Sequence, residues 1–231
     1  MEIIAHRGIH GNGVFENSLE AIKNVIDSGA DGVEFDVRLT LDGQCVLAHD
    51  TKTINKLRIS ATNYELIRDD VALLRDVLYV LGDYKGLINI EIKHLFFERD
   101  HNRGFDCALA VVSVLKEIYG ENIPHNIVVS SFSYRNLKVV REQMPQVNVA
   151  YLVPHACAFF YTKNRCLEVS ADAIHMSAKQ AKMKLFTKVI AYARQNNIKV
   201  RCYTVNTKRE AIELEARGID GIFTDKVYEF V

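Results

Sequence analysis

The chain has 231 residues, 48% hydrophobic and 25% charged, the composition of a globular domain large enough to bury a substantial core, and one domain spanning 1–231 is expected. Its 29 basic and 29 acidic side chains cancel, so no net field draws it onto nucleic acid or an anionic membrane, and any basic site has to be local. Five cysteines without CxxC spacing argue against a disulfide framework or a zinc cluster and fit a reduced, cytoplasmic setting.

Met1 leads directly into strand-like sequence without the basic-then-apolar pattern of a secretory signal, and no apolar run approaches the ~20 residues that span a bilayer. The first strand-like run is "IIAH" at 3–6. In "SLEAIKNVIDSG" (18–29), Leu19, Ile22, Val25 and Ile26 share one helical face and Gly29 suits a left-handed stop. "GVEFDV" (32–37) and "CVLAH" (45–49) follow, separated by seven residues, too few for the crossover between parallel strands. They read as a hairpin turning near "LDG". Residues 51–68 are the least regular stretch and read as a long loop over one face. Beyond them strand-like runs alternate with helical patterns: "INIEI" (88–92), "IVVSS" (127–131), "VAYLV" (149–153), "AIHM" (173–176), "VRCYTV" (200–205) and "GIFT" (221–224). Setting the returning hairpin arm aside leaves eight parallel strands, the number that closes a (β/α)8 TIM barrel, whose usual length of about 250 residues fits. A doubly wound open sheet would need a glycine-rich strand-to-helix turn of the dinucleotide kind, and none is convincing.

Strands of a helix-covered parallel sheet are buried on both faces and should be apolar throughout. Two depart from this. Glu34 and Asp36 sit two apart, as do Glu91 and Lys93, so each pair points into the barrel near its carboxyl mouth while Val33, Phe35, Val37, Ile90 and Ile92 face the helices. Three converging carboxylates repel and raise one another's pKa, a cost that a divalent cation removes. Oxygen-only ligation by Glu34, Asp36 and Glu91 suits a hard metal ion such as Mg2+ or Ca2+; an internal ion-pair network with Arg7, Lys93 and Arg38 is the alternative. "IIAH" ends at the same rim, which accounts for a histidine and an arginine, His6 and Arg7, at the end of an apolar run. His49 returns on the hairpin arm opposite residues 34–36, and the parity that turns it inward is expected. Two histidines able to move protons, beside a metal and the cations Arg7 and Lys93, fit displacement at an anionic group, naturally a phosphate. His10, His94, His101, His125, His155 and His175 lack such a setting and read as solvent or packing residues, His94 and His155 at the edge of the mouth.

At these residues the chain resembles the glycerophosphodiester phosphodiesterase family, a group of PLC-like phosphodiesterase barrels. The resemblance is carried by "AHRG" with "ENS" after it, "GADGVEFDVRLTLDGQCVLAHD", "NIEIK", "SSF", "YTVN" and "GIDGIFTD", of which the long second piece is the most specific. It implies a (β/α)8 barrel with a β-hairpin excursion after the second strand, and metal-dependent hydrolysis of glycerophosphodiesters to glycerol 3-phosphate and an alcohol. It implies His6 and His49 as the acid/base pair, Glu34, Asp36 and Glu91 as metal ligands, Arg7 and Lys93 on the phosphate, and Glu16 and Asn17 in support. Family members commonly carry Trp where this chain has Tyr203, which keeps an aromatic wall for the substrate with a polar tip.

Two aromatic stretches, with Phe96 and Phe97 and with Phe159 and Phe160, follow barrel strands on the catalytic face. Burial at the start of helices is the ordinary reading. A greasy wall that admits lysophospholipid is the sharper one. A lysophospholipase D-like enzyme and a barrel that binds a phosphodiester without cleaving it are the competing functions; the histidine pair argues against the latter, since binding needs charge but not paired proton carriers.

Overall fold

The computed structural model describes residues 1–93, 102–154 and 159–231, residues 102–104 by their backbone alone. Among these, nine strands form: β1 Glu2–His6, β2 Gly32–Leu39, β3 Cys45–Leu47, β4 Leu87–Ile92, β5 Ile127–Ser131, β6 Asn148–Leu152, β7 Ala173–Ser177, β8 Lys199–Tyr203 and β9 Gly221–Thr224. All but β3 pair in parallel in the order β1-β2-β4-β5-β6-β7-β8-β9, and β9 returns to β1, so the sheet closes into an eight-stranded barrel. β3 lies outside the ring, antiparallel on β2, with Val37 opposite Leu47 and Leu39 opposite Cys45. The turn between them is tied by the Thr40 amide donating to the Gln44 carbonyl at 3.0 Å. The (β/α)8 barrel and its hairpin excursion are both present.

Helices fill the connections: α1 Leu19–Lys23, α2 Leu74–Leu81, α3 Asn102–Tyr119, α4 Tyr134–Gln143, α5 Phe159–Val169, α6 Ala178–Lys182, α7 Thr187–Gln195 and α8 Lys208–Ala216. Hydroxyl caps start four of them, with Ser18, Ser133, Ser177 and Thr207 each accepting from a backbone amide of the first turn. α1 is shorter than its periodicity predicts. After Lys23 the amides of Val25, Ile26 and Ser28 each reach back three residues rather than four, so the chain tightens into turns before Gly29 takes its left-handed conformation.

The main core lies between the outer face of the barrel and the helices, where Val33, Phe35, Val37, Ile88, Ile90 and Ile92 are buried against residues such as Ile22, Val77 and Leu78. Inside the barrel, Val128, Ala150 and Ala173 pack with Leu87. Nearer the amino end Arg201 pairs with Glu2 at 2.6 Å. The irregular stretch after β3 is rooted by its own small cluster, Val46, Ile59 and Ile67. Cys45, Cys107, Cys166 and Cys202 are buried and unpaired. No helix among the described residues is long and apolar enough to cross a membrane.

The β1–α1 connection is held close by Gly8. Its φ is +79°, and a Cβ there would lie 2.7 Å from the carbonyl carbon and oxygen of Ala21, on the helix whose Ala21 carbonyl receives the Ile9 amide at 2.9 Å. Gly8→Ala is therefore expected to lower the unfolding free energy by about 2–4 kcal/mol, from strain and overpacking together. Urea denaturation measures it; unchanged stability would show that this turn yields freely.

Candidate active site

Register brings the polar strand residues together. His6 lies opposite Glu34 across β1 and β2, Asp36 opposite Glu91 across β2 and β4, and Glu91 opposite Ser130 across β4 and β5. Glu34, Asp36 and Glu91 are buried, and one oxygen from each lies within 4.8 Å of the others. Their surroundings differ. Asp36 meets Lys93 Nζ at 3.1 Å and Arg7 Nε at 3.3 Å, and Asn17 grips it twice, donating through Nδ2 at 2.9 Å and accepting the Asp36 amide at 3.0 Å. Burial alone would raise its pKa, but those cations and that amide hold it below the ordinary carboxylate value. Glu91 has Lys93 Nζ at 2.9 Å, yet burial and the charge of Asp36 still raise its pKa. Glu34 accepts the Arg7 amide at 3.0 Å through one oxygen, while its other oxygen is buried with no hydrogen-bond partner. Burial and Asp36 push Glu34 up to about 8. Arg7 also binds Glu16 at 2.8 Å, so Glu16 and Asn17 stand behind Arg7 and Asp36 rather than in the opening.

The two histidines are held differently. His6 donates from Nδ1 to Asp225 Oδ1 at 2.7 Å, which turns Nε2 toward Glu34, 4.0 Å away. Asp225 is locked in turn by Asn206, whose Nδ2 donates to its second oxygen at 2.8 Å and whose Oδ1 accepts its amide at 2.9 Å. Burial opposes charge on His6, but the Asp225 hydrogen bond and the field of Glu34 outweigh it and raise the pKa. His49 donates to Asp50 at 3.0 Å, and burial and Lys93 lower its pKa. The route by which His49 arrives differs from the expected one. The register that sets Leu47 opposite Val37 would turn position 49 outward in a continued ladder, but β3 ends at Leu47, and His49 lines the pocket from the loop beyond. Arg38, expected as a possible partner of the carboxylates, donates to the His49 carbonyl at 3.0 Å and so fixes that loop.

His6, Arg7, Glu34, Asp36, His49, Glu91, Lys93 and Tyr203 line one pocket, together with Asn89, Phe132, Leu152, His175, Thr204 and Phe223. Asp225, Asn206, Asn89 and His175 escaped the sequence reading. The period-two rule that singled out Glu34 applies equally to Asn89, between Ile88 and Ile90, and to His175, between Ile174 and Met176. His175, read as a solvent or packing residue, does pack edge-on against Phe223 at 4.9 Å, but it also lines the pocket. His10 is 3.7 Å from Asp225, at the margin of the site. Phe159 packs against the core while Phe160 is 74% exposed. His94, Phe96, Phe97, His101 and His155 lie outside the described residues.

A model of the glycerophosphoryl diester phosphodiesterase family matches residues 6–229. The chain belongs to this family. Among curated relatives it is similar to a glycerophosphodiester phosphodiesterase of Bacillus altitudinis, 29% identical over 97% of this chain and 94% of the relative. It is also similar to a glycerophosphodiester phosphodiesterase of Caldanaerobacter subterraneus, 27% identical over 96% of this chain and 93% of that one. Among solved structures, a Thermotoga maritima glycerophosphodiester phosphodiesterase superposes with TM-score 0.78 at 27% identity, covering 99% of this chain and 96% of that one. An Oleispira antarctica phosphodiesterase, in complex with the product sn-glycerol-3-phosphate, superposes with TM-score 0.81 at 23% identity over 99% and 95% of the two chains, which bears on the fold alone.

The acidic cluster of this family member fits a hard divalent cation. All three donors are carboxylate oxygens, they converge, and the orphaned oxygen of Glu34 is a ligand without an occupation in the protein. Lys93 and Arg7 neutralise Asp36 but leave Glu34 uncompensated, so the ion-pair network alone does not balance the site. Adding Mg2+ or Ca2+ is expected to raise the melting temperature, by the equivalent of about 2.7 kcal/mol at one hundred times the ion's Kd, and Glu34→Gln is expected to remove most of that shift. A thermal melt with and without each ion measures this; no shift with either would mean that the cations of the chain suffice.

Proposed function

We propose that the chain hydrolyses glycerophosphodiesters to sn-glycerol 3-phosphate and an alcohol, using His6 and His49 as an acid and base pair and a divalent cation, Mg2+ or Ca2+, held by Glu34, Asp36 and Glu91. The observation that carries this reading is the convergence of two separately oriented histidines, three carboxylates and two cations on one pocket of a chain from this family. When bound, the metal supplies charge stabilisation at the phosphoryl oxygens. Arg7 and Lys93 add fixed positive charge on the same group, and both keep it at neutral pH because Asp36 and the nearby glutamates outweigh their burial.

The hydrogen bonds of the histidines divide their roles. His49 gives its Nδ1 proton to Asp50, so its neutral form has a lone pair on Nε2, and its lowered pKa keeps that form abundant. It takes the proton of the attacking oxygen. His6, anchored by Asp225 and with a raised pKa, carries a proton on Nε2 and gives it to the departing alkoxide. One oxygen–phosphorus bond forms and one breaks, and the proton that His49 gains from the attacking oxygen is matched by the proton that His6 gives to the departing alkoxide. Asp225 and Asn206 act on the reaction by positioning His6.

Release of sn-glycerol 3-phosphate from a panel of glycerophosphodiesters, with EDTA and with Mg2+ or Ca2+ restored, tests the proposal. Metal-restored activity is expected, with His6→Ala, His49→Ala and Glu91→Ala each losing about 10²–10⁴-fold in kcat. A folded, metal-supplied protein that turns over no diester would overturn it.

The pH profile of kcat/KM is expected to be bell-shaped. The acid limb, where His49 gains a proton, has its midpoint below the ordinary histidine value, and the alkaline limb, where His6 loses one, has its midpoint above it. Asp225→Asn removes the partner that raises His6, so it should move the alkaline limb to lower pH and leave the acid limb in place. A shift of both limbs together would contradict the assignment.

A further inference from the structure

Between Asp172 and Glu210 the chain has nine lysines and arginines and no acidic residue, so its zero net charge conceals a strongly basic segment and leaves the matching acidic excess elsewhere. The segment runs from β7 through α6, α7 and β8 into the start of α8. Toward the amino end of the barrel its charges are matched, Arg201 by Glu2 at 2.6 Å and Lys199 by Asp220 at 3.5 Å. At the carboxyl rim Lys182 is paired with Glu210, but Lys179, Lys184, Lys188, Lys208 and Arg209 are exposed and form no ion pair among the described residues. Lys208 and Arg209 even stand in the first turn of α8, the end of a helix that favours acidic side chains. Like charges gathered on one rim repel, a cost that an anionic partner removes.

The same rim holds apolar side chains out in water. Between α6 and α7 the chain forms a projecting turn with two buried anchors, Gln180, whose Nε2 donates to the Pro154 carbonyl at 3.0 Å, and Phe186, which packs into the core. Between the anchors Met183 is 45% and Leu185 52% exposed, with Lys184 exposed between them. The Met183 amide on the Gln180 carbonyl at 2.9 Å and the Phe186 amide on the Met183 carbonyl at 3.0 Å fix this turn, so the backbone itself holds the tip outward. On α5, next round the rim, Phe159 turns in to the Tyr192 ring at 6.2 Å, whereas Phe160, 5.3 Å from it ring to ring, faces water. Apolar tips flanked by lysines are the pattern of an interfacial segment, in which the tips enter the acyl boundary and the ammonium groups, on long stems, stay among the headgroups.

We infer that the rim from α5 to the start of α8 is a docking surface for an anionic lipid bilayer, with Met183, Leu185 and Phe160 entering the interface and the unpaired lysines and Arg209 on the headgroups. Charge complementarity and the apolar tips together choose this partner. A nucleic acid would match the cations but leave the tips in water. The opposite side of the mouth also exposes an apolar side chain, Leu66, but Glu65 and Asp69 beside it repel an anionic surface, so the barrel docks by one side of its rim. Docking there sets the pocket mouth beside the bilayer. The inference uses none of the pocket residues and does not depend on the chemistry proposed for them.

Sedimentation of the full chain with vesicles tests this, using phosphatidylcholine alone and phosphatidylcholine mixed in equal parts with phosphatidylglycerol. Partition onto the mixed vesicles only is expected, and it should fall as salt is raised. Lys184→Gln and Lys188→Gln should each weaken it about fivefold, and about 25-fold together. Met183→Ser combined with Leu185→Ser should weaken it about tenfold. All four positions are exposed, so the melting temperature of each variant should stay close to that of the wild type, which separates lost docking from lost folding. Sedimentation with neither vesicle, equal sedimentation with both, or a partition unchanged in the lysine pair or in the apolar pair overturns the inference. Retention of a DNA duplex in place of the anionic vesicles, lost with the lysines and kept in the apolar pair, overturns it in favour of nucleic acid.

Discussion

Three carboxylates buried within reach of one another are the constraint to which the rest of the barrel mouth responds. They are there because β2 and β4 are neighbours in register, so that the period of two in each strand delivers Glu34, Asp36 and Glu91 to the same interior patch. Like charges in such a place disfavour one another strongly, and the chain compensates unevenly. Asp36 receives two cations and a double hydrogen bond from Asn17, whereas Glu34 is given one backbone amide. That imbalance is what the proposed cation would relieve; in a purely structural ion-pair network every charge would find its partner inside the protein.

Much of this was legible in the sequence because both signals are local. Acidic residues two apart inside an apolar strand can point only inward, and a seven-residue link can join only antiparallel neighbours. What stayed hidden depends on closure. Asp225 is 219 positions from His6, and only the pairing of β9 with β1 sets the end of the last strand beside the end of the first. His49 illustrates the limit of register arguments: pairing parity would turn it outward, and its place in the pocket follows from the end of β3 and from Arg38 holding its carbonyl. Asn89 and His175 had the same inward parity as Glu34, yet an uncharged side chain in an apolar run does not advertise a cost, so nothing in composition drew notice to them. The shortness of α1 likewise turns on three-residue hydrogen bonds that an apolar periodicity does not encode.

In the proposed reaction the two histidines would serve as proton donor and proton acceptor, and their surroundings differ accordingly. Each has a carboxylate on Nδ1, so the partner alone does not decide the outcome. His6 lies near the under-compensated Glu34, which favours its charged form. His49 lies nearer Lys93, which disfavours it. The same imbalance among the carboxylates that calls for a cation therefore also polarises the pair, and the supporting residues serve both ends: Asn206 fixes Asp225, and Asp225 fixes the ring that faces Glu34.

The interior of the barrel makes the contrast between stability and function visible along a single axis. At the amino end Arg201 and Glu2 are matched at 2.6 Å, and Gly221 leaves room for them: a Cβ there would come within 2.9 Å of the Glu2 carboxylate. Above them an apolar layer shuts the barrel. Above that layer the partners run out: the oxygen of Asn89, the ring nitrogen of His175, the hydroxyl of Tyr203 and an oxygen of Glu34 are all buried without one. Side chains of comparable polarity are thus satisfied at one end and unsatisfied at the other, within the same closed sheet. Atoms of this kind also occur away from the mouth, in Thr53, Asn136 and Arg165, but the four here share the walls of one pocket, where a bound molecule can supply the missing partners. The charged groups of that wall fit the cation and the phosphate of the proposed reaction, and the neutral ones are interleaved with them, Asn89 standing opposite Glu34 across β2 and β4.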